Sequence, residues 1–318
     1  MKYRSVCMLG GSGFVGSHLA ARLAGEGIQV RVITRNADRA KHLNVLPTVK
    51  LIQGNCHDSA LLQEAFTGVD AVINLVGILN EKGRKGDGFR HAHVELTRKV
   101  LDACEATGVK RLLHMSALNA DGGGPSHYLR SKGEAESLIQ VHGRRGLDAT
   151  IYQPSTIFGE GDSFTNRFAG LLRLLPVFPL ACPDSRMAPV YVGNVVDAFM
   201  RGLQDRDTIG QRYQLCGPNM MTLKEIVRYL ADTMGRRRLI IGLPDFLARL
   251  QANVMEFVPG KPFSKDNYNS LQKDAVCRTD GLARLGITPV GMDAVVPRYL
   301  AHRDLRGRYP DMRKAAKR

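Results

Sequence analysis

Residues 9–16 read LGGSGFVG, and the fold is decided by how that stretch is read. The apolar run Ser5–Leu9 before it has the character of a buried strand. The segment Phe14–Glu26 after it has apolar residues at helical spacing. Gly10, Gly13 and Gly16 recur at every third position between the two. Gly10 suits a tight turn. Gly13 has no Cβ, so its backbone can approach a pyrophosphate, and Gly16 lets the helix pack closely on the strand. The helix start, with Gly13, Phe14, Val15 and Gly16, then offers free N–H groups and a positive dipole end to phosphate. Glycines of this kind also make ordinary turns. The strand before and the helix after favour a dinucleotide site.

Outward from that turn, strands and helices alternate over the first 150 residues. Expected strands are Gln29–Thr34, Val49–Gln53, Ala71–Val76, Arg111–Met115 and Asp148–Tyr152. Between them fall a weak helix at Arg39–Asn44 and clearer ones at Ala60–Phe66, Phe89–Thr107 and Leu129–His142. Such alternation implies βαβ units, hence an α/β fold with a doubly wound parallel sheet of Rossmann type. After Tyr152 five prolines punctuate a loop-rich stretch. Val190–Val192 and Tyr213–Leu215 read as two further strands, with a helix at Val195–Leu203. Thr222 and Glu225 form a capping box at the head of a helix over Thr222–Met234. Residues 236–318 carry helical patterns without a strong strand signal. The expected division is a dinucleotide-binding domain over 1–160 plus 187–217 and a smaller, mostly helical domain over 161–186 plus 218–318. Asn80–Gly88 (NEKGRKGDG) reads as a mobile loop, and Arg303–Arg318 as a basic, frayed end.

The three-residue glycine spacing resembles that of the short-chain dehydrogenase/reductase superfamily, in its extended or atypical branches. At the end of the second strand, where NAD-binding Rossmann domains place a carboxylate, stand Thr34 and Arg35. Arg35 and Arg39 are placed to meet a 2′-phosphate with guanidinium forks, and Asn36-Ala37-Asp38 to cap the next helix. The corner therefore favours NADP(H) over NAD(H). In the superfamily an acidic residue after the third strand contacts adenine; Asn55 holds that place here. Gly77 is the small residue after the fourth strand that lets backbone pass the cofactor.

Tyr128 and Lys132 form a YxxxK at a helix start, on one face by their i,i+4 spacing. A phenol is a poor base at neutral pH, and an ammonium beside it favours phenolate. Ser116 follows the fifth strand (RLLHMS), the superfamily's place for a catalytic serine. The resemblance makes Ser116, Tyr128 and Lys132 the expected catalytic set and adds Tyr128, Lys132 and Pro154 to the cofactor contacts.

From Ser116 on the likeness narrows. SALNADGGGPSHYLRSKGEAE, QPSTIFGEGDSFTNRFA, APVYVGNVVDAF, YQLCGPNMMTLKEIV and LARLGITPVGMDAVVPRYLAHRDLRGRYP resemble the alpha-subcomplex subunit nine family, the nucleotide-binding accessory subunits of respiratory complex I, and its bacterial relatives. The departures are Gln153 before Pro154, where arginine or lysine is usual, and Asn194 in place of an acidic residue. The resemblance implies an NADPH-holding accessory or assembly protein linked to a quinone-reducing respiratory complex. The alternative is an active NADP-dependent reductase or nucleotide-sugar epimerase/dehydratase using Ser116, Tyr128 and Lys132.

Composition bounds partners. Lys and Arg number 45 against 30 Asp and Glu, a net +15, which favours anionic partners. No nucleic-acid motif is present and nucleic acid is not expected. A respiratory-complex or membrane-surface partner, met through the basic C-terminal region, is. His91 and His93 lie i,i+2 on a helix and point apart, so no metal site is expected. Phe246–Val258 is amphipathic and reads either as a core-facing helix or as a surface for a membrane or partner. The six scattered cysteines read as free thiols in a reducing compartment. No apolar run is long enough to span a membrane, and the start lacks a cleavage site. The expected location is cytoplasmic, or peripheral at the inner face of the membrane.

Overall fold

A computed structural model describes residues 3–258 and 261–301. The first half runs β1 (Ser5–Leu9), α1 (Phe14–Gly25), β2 (Gln29–Thr34), a 3₁₀ turn (Asp38–Leu43), β3 (Val49–Gln53), α2 (Ser59–Phe66) and β4 (Ala71–Asn74). It continues with the single turn α3 (Asp87–Phe89), a π-helical turn (Arg90–Glu95), α4 (Leu96–Thr107), β5 (Arg111–Met115), α5 (His127–Gly143) and β6 (Asp148–Pro154). Then come β7 (Ile157–Phe158), α6 (Phe164–Leu174), β8 (Val177–Leu180), β9 (Arg186–Met187), β10 (Val190–Tyr191), α7 (Val192–Gln204) and β11 (Arg212–Leu215). The chain ends through β12 (Met221–Thr222), α8 (Leu223–Thr233), β13 (Leu239–Gly242), α9 (Asp245–Met255), α10 (Lys265–Leu271), α11 (Gly281–Arg284) and α12 (Met292–Leu300).

The central sheet has seven parallel strands in the order β3-β2-β1-β4-β5-β6-β11. The order reverses between β1 and β4, so a crevice opens at their carboxyl ends, where ligands of open α/β sheets bind. Sequence character follows position. All four residues of central β4 are buried, whereas edge strand β3 stays half-exposed. Helix α1 buries Val15, Leu19 and Leu23, spaced by four, against one sheet face. Helices α2 and α4 cover the other face with Leu62, Phe66, Val100 and Leu101. A separate core, built from α6, α8, α12 and β8, holds Leu172, Phe178, Ile226, Leu230 and Val296. The capping box at α8 forms as read: Glu225 N–H donates to Thr222 Oγ1 and Thr222 N–H to Glu225 Oε2. Among the described residues no helix is long and apolar enough to cross a membrane.

Four sequence expectations change. The single helix over Phe89–Thr107 is broken by the π turn, a rare element that marks functional positions. Residues 236–318 do contain a strand: β13 pairs with β8, which itself lies in the stretch read as loop. Asn80–Gly88 is tied down, because buried Glu81 accepts from Gly86 N–H (2.7 Å) and Gly88 N–H (2.8 Å). Cys216 and Cys277 are joined in a disulfide, against the free-thiol reading. The strands and turns around them bring together two residues 61 positions apart. Cys7 and Cys104 remain buried thiols, pushed up to about 12 by burial.

Candidate functional site

The glycine turn has the shape its sequence implies. Gly10 adopts φ 76°, and a Cβ there would meet the Leu75 carbonyl carbon at 3.0 Å. Gly13 N–H closes the turn on Gly10 O at 3.0 Å. A Cβ on Gly16 would run into the Gly10 carbonyl oxygen and the Gly11 Cα, so this glycine serves the turn itself rather than helix–strand packing. Gly11, unassigned in the sequence, faces β2: a Cβ there would lie 2.8 Å from Val32 Cγ1. Gly13 is the extended N-cap of α1 and no side chain caps that helix. Val15 is buried in the core and the Phe14 ring lies edge-on to His18. The open N–H groups of the first turn fit a pyrophosphate.

At the tip of β2, Thr34 is buried and its hydroxyl lies 3.3 Å from Ser12 Oγ, which ties the strand end to the glycine turn. Arg35 and Arg39 are exposed and, among the described residues, form no ion pair. Asp38, the nearby carboxylate, is taken by Lys41 at 2.7 Å. Asn36 Oδ1 accepts from Arg39 N–H (3.1 Å). Burial pushes the Cys56 thiol up and the His57 ring down; the Arg35 charge is a lesser influence that opposes the first shift and adds to the second. In that loop Asn55 Oδ1 accepts from His57 N–H at 3.1 Å, and Asp58 caps α2.

Helix α5 carries the tyrosine and lysine. Ser126 caps it, and Asp266 of α10 adds a second cap by accepting from His127 N–H (2.6 Å) and Tyr128 N–H (3.1 Å). Lys132 is buried, and its Nζ donates to Met115 O (3.1 Å) and Val76 O (3.4 Å). Burial pushes this ammonium down to about 8. A Cβ on Gly77 would come within 3.3 Å of Nζ, so a bulkier residue there would crowd the lysine. His93, set inward by the π turn, accepts from Ile78 N–H at Nε2 (3.1 Å). Its Nδ1 therefore carries the proton and donates to Ser131 Oγ (2.8 Å), which donates to Tyr128 O (2.9 Å). Burial, then the Lys132 and His114 charges, push His93 down to about 2, so the ring is neutral.

The Tyr128 ring stands edge-on to Phe89 and His93, with centroids 6.0 and 5.6 Å away. Its phenol is pushed up to about 12, by burial and by Asp266. That is opposite to the sequence expectation: burial and then the Asp266 charge disfavour the phenolate. Ser116 is buried at the end of β5, and its hydroxyl forms no hydrogen bond among the described residues; burial pushes the Glu136 carboxyl up. Gln153 Nε2 donates to both Glu136 oxygens, at 2.8 and 3.0 Å. No hydrogen bond joins Ser116 to Tyr128 or Lys132 among the described residues. Pro154 ends β6, and its carbonyl accepts from Leu118 N–H (2.9 Å). The structure thus gathers Tyr128, Lys132 and Gly77 with His93, and sets Glu136 with Gln153 and Arg212.

Two polar cavities flank α5. One of about 410 Å³ is lined by Asn119, Asp121, Gln153, Arg212, Lys273 and Arg278. The other, about 400 Å³, lies between Glu81, Arg84, Phe89, His127, Lys261 and Asp266. His93, Ser131, Asp266 and Glu136 were not found from sequence. His93 was visible only as half of a His-x-His pair. Asp266 lies 139 residues from the backbone N–H it caps, so no local signal announces it.

A glycine turn at an open helix start, on a parallel sheet with its crevice above, defines a dinucleotide-binding protein. The chain belongs to the NAD dependent epimerase/dehydratase family, whose model matches residues 6–216. It is similar to the mouse protein "NADH dehydrogenase [ubiquinone] 1 alpha subcomplex subunit 9, mitochondrial", 29% identical over 90% of this chain and 77% of that one. It is also similar to "Ceramide reductase" of Caulobacter vibrioides, 28% identical over 76% of this chain and 74% of that one. Among solved structures, DesIV, a dTDP-glucose 4,6-dehydratase from Streptomyces venezuelae with NAD bound, superposes with a TM-score of 0.72. That match has 20% identity and covers 96% of this chain and 99% of that one, which supports the fold alone.

Proposed function

We propose that the protein binds NADP(H) in preference to NAD(H), and serves as an accessory or assembly protein of a quinone-linked respiratory complex. The observation that carries the cofactor choice is the β2 tip. Two guanidiniums with no ion pair among the described residues, Arg35 and Arg39, stand where a carboxylate would repel a 2′-phosphate. Gly10, Gly13, Phe14, Val15 and Gly16 would hold the pyrophosphate, and Thr34 would brace the corner. Asn55 would meet adenine; Gly77, Pro154 and Lys132 would meet the nicotinamide side. The resemblance to the mouse complex I subunit supports the accessory role. So does the state of the site. Lys132 is turned onto two backbone carbonyls, and the Tyr128 phenol is held up near 12.

The second reading is an NADP-dependent reductase, or an epimerase/dehydratase, and it rests on Tyr128 and Lys132 sharing a face beside the crevice. The nicotinamide ring, when bound, would supply or accept hydride. Tyr128 would hold the substrate oxygen and pass a proton at its hydroxyl, with Lys132 favouring the phenolate. The reductase named for Caulobacter lends this reading support.

Titration of NADPH and NADH into wild type and Arg35→Ala tests the cofactor choice. A charge-assisted phosphate contact is worth roughly 10–100-fold in affinity. Arg35→Ala should lose about that much for NADPH and almost nothing for NADH. Equal affinities in the wild type would leave the arginines as surface charge. Oxidation of bound NADPH by quinones or carbonyls, abolished by Tyr128→Phe, would favour the second reading over the first.

A further inference from the structure

Helix α9 has two unlike faces. Ala248 and Ala252 are 1% exposed and pack beside Ala181 and Tyr268. On the opposite face Phe246, Leu250 and Val254 are 69, 56 and 54% exposed, and Phe257, in the turn that follows the helix, is 73% exposed. The spacing of four puts the three helical residues on one ridge, and Phe257 follows at its carboxyl end. The two-stranded sheet of β8 and β13 continues the surface. Phe178, Leu180 and Ile240 point into the core, while Val177, Leu239 and Ile241 stay exposed. Gln251 Nε2 donates to Pro179 O (3.4 Å) and joins helix to sheet. Apolar surface of this extent marks an interaction site.

The rim of this surface is cationic. Residues 236–261 hold five Lys and Arg against two carboxylates. Both carboxylates are paired: Asp245 with Arg249 at 2.9 Å, and Glu256 with Arg84 at 3.6 Å. Arg236 and Arg237 form no ion pair among the described residues. At the far end of the ridge, Arg84 lies 4.3 Å from the Phe257 ring centroid. Through it the basic Lys82–Lys85 loop joins the same face, and Lys261 Nζ holds that loop by donating to Gly83 O (2.9 Å).

We propose that this face docks the protein on the surface of an anionic lipid bilayer. The ridge residues and Phe257 enter the boundary between headgroups and acyl chains, and the cations of the Lys82–Lys85 loop, with Arg236 and Arg237 before β13, meet lipid phosphates. An apolar ridge flanked by cations matches the layering of an anionic bilayer, acyl chains beneath a sheet of phosphates. A second copy would bring one cationic rim against another or leave it without a counter-charge. The surface lies outside the dinucleotide crevice, so the proposal stands independently of the cofactor reading.

Flotation of the full chain tests it, with phosphatidylcholine vesicles containing or lacking about 30% phosphatidylglycerol. Wild type should float with the anionic vesicles, less so as salt rises. Leu250→Gln/Val254→Gln should lower partitioning by roughly tenfold or more. Arg237→Glu/Lys85→Glu should remove the preference for anionic vesicles. All these positions are exposed, and unchanged urea unfolding followed by circular dichroism would show that the variants fold. Absence of wild-type flotation would overturn the proposal. So would a ridge variant that floats like wild type, which would place lipid binding elsewhere in the chain. A soluble wild-type dimer split by the ridge substitutions would assign the face to a second copy and overturn it as well.

Discussion

Lys132 stabilises the folded protein less than its own removal would. Its ammonium is buried, 2% exposed, and its pKa falls from 10.5 to about 8. At about 1.4 kcal/mol per unit, the protonated form costs the folded state about 3 kcal/mol near pH 7. Replacement by methionine, similar in volume and apolar, removes that cost. It also strips the Met115 and Val76 carbonyls of a donor, which costs about 1 kcal/mol. Lys132→Met should therefore be more stable than wild type by about 2 kcal/mol at neutral pH. The sign follows from proton counts. Between pH 8 and 10.5 the unfolded chain keeps a proton that the folded protein has shed, so wild-type stability rises with pH across that window. The variant has no such rise, and its advantage should shrink to about zero near pH 10. Urea unfolding followed by circular dichroism at both pH values measures the difference. A variant less stable than wild type at pH 7, or an advantage that does not change with pH, would refute the reasoning. NADPH affinity should fall in the same variant by about tenfold or more, as expected where a functional group is kept at a cost in stability.

Gly16→Ala forces a Cβ onto the Gly10 carbonyl and should abolish measurable dinucleotide binding, read by titration, while the far sheet edge keeps its structure. Cys216→Ser opens a loop spanning 61 residues and should lower stability by up to about 4 kcal/mol. A reductant should destabilise wild type by a similar amount and leave the variant unchanged. Asp266→Ala removes the second cap of α5 and should cost about 1 kcal/mol in urea unfolding. The same change takes a negative charge from beside Tyr128, so the phenol should titrate below its wild-type value of about 12. Ultraviolet difference titration against Asp266→Ala/Tyr128→Phe isolates that one ring.

The parts legible in sequence are those encoded over a few neighbouring residues. The GxxGxxG turn, the alternation of strand and helix, the Thr222–Glu225 box and the shared face of Tyr128 and Lys132 all depend on local spacing, and each has its expected geometry. Even the exposed arginines at the β2 tip could be placed, because a strand end lies where the alternating pattern stops. Long-range packing decided the rest. Leu239–Gly242 is too short to announce itself and becomes a strand only because Val177–Leu180 lies beside it. Cys216 meets Cys277 because residues 274–282 return to the edge strand β11, where Gln214 accepts from Arg278 and Thr279 N–H. The protonation of the site is also a tertiary property. Tyr128 beside Lys132 suggested a lowered phenol, but burial and Asp266 from a distant helix reverse the direction. Spacing specifies which side chains share a face. Desolvation and partners brought from far along the chain set what those side chains do there.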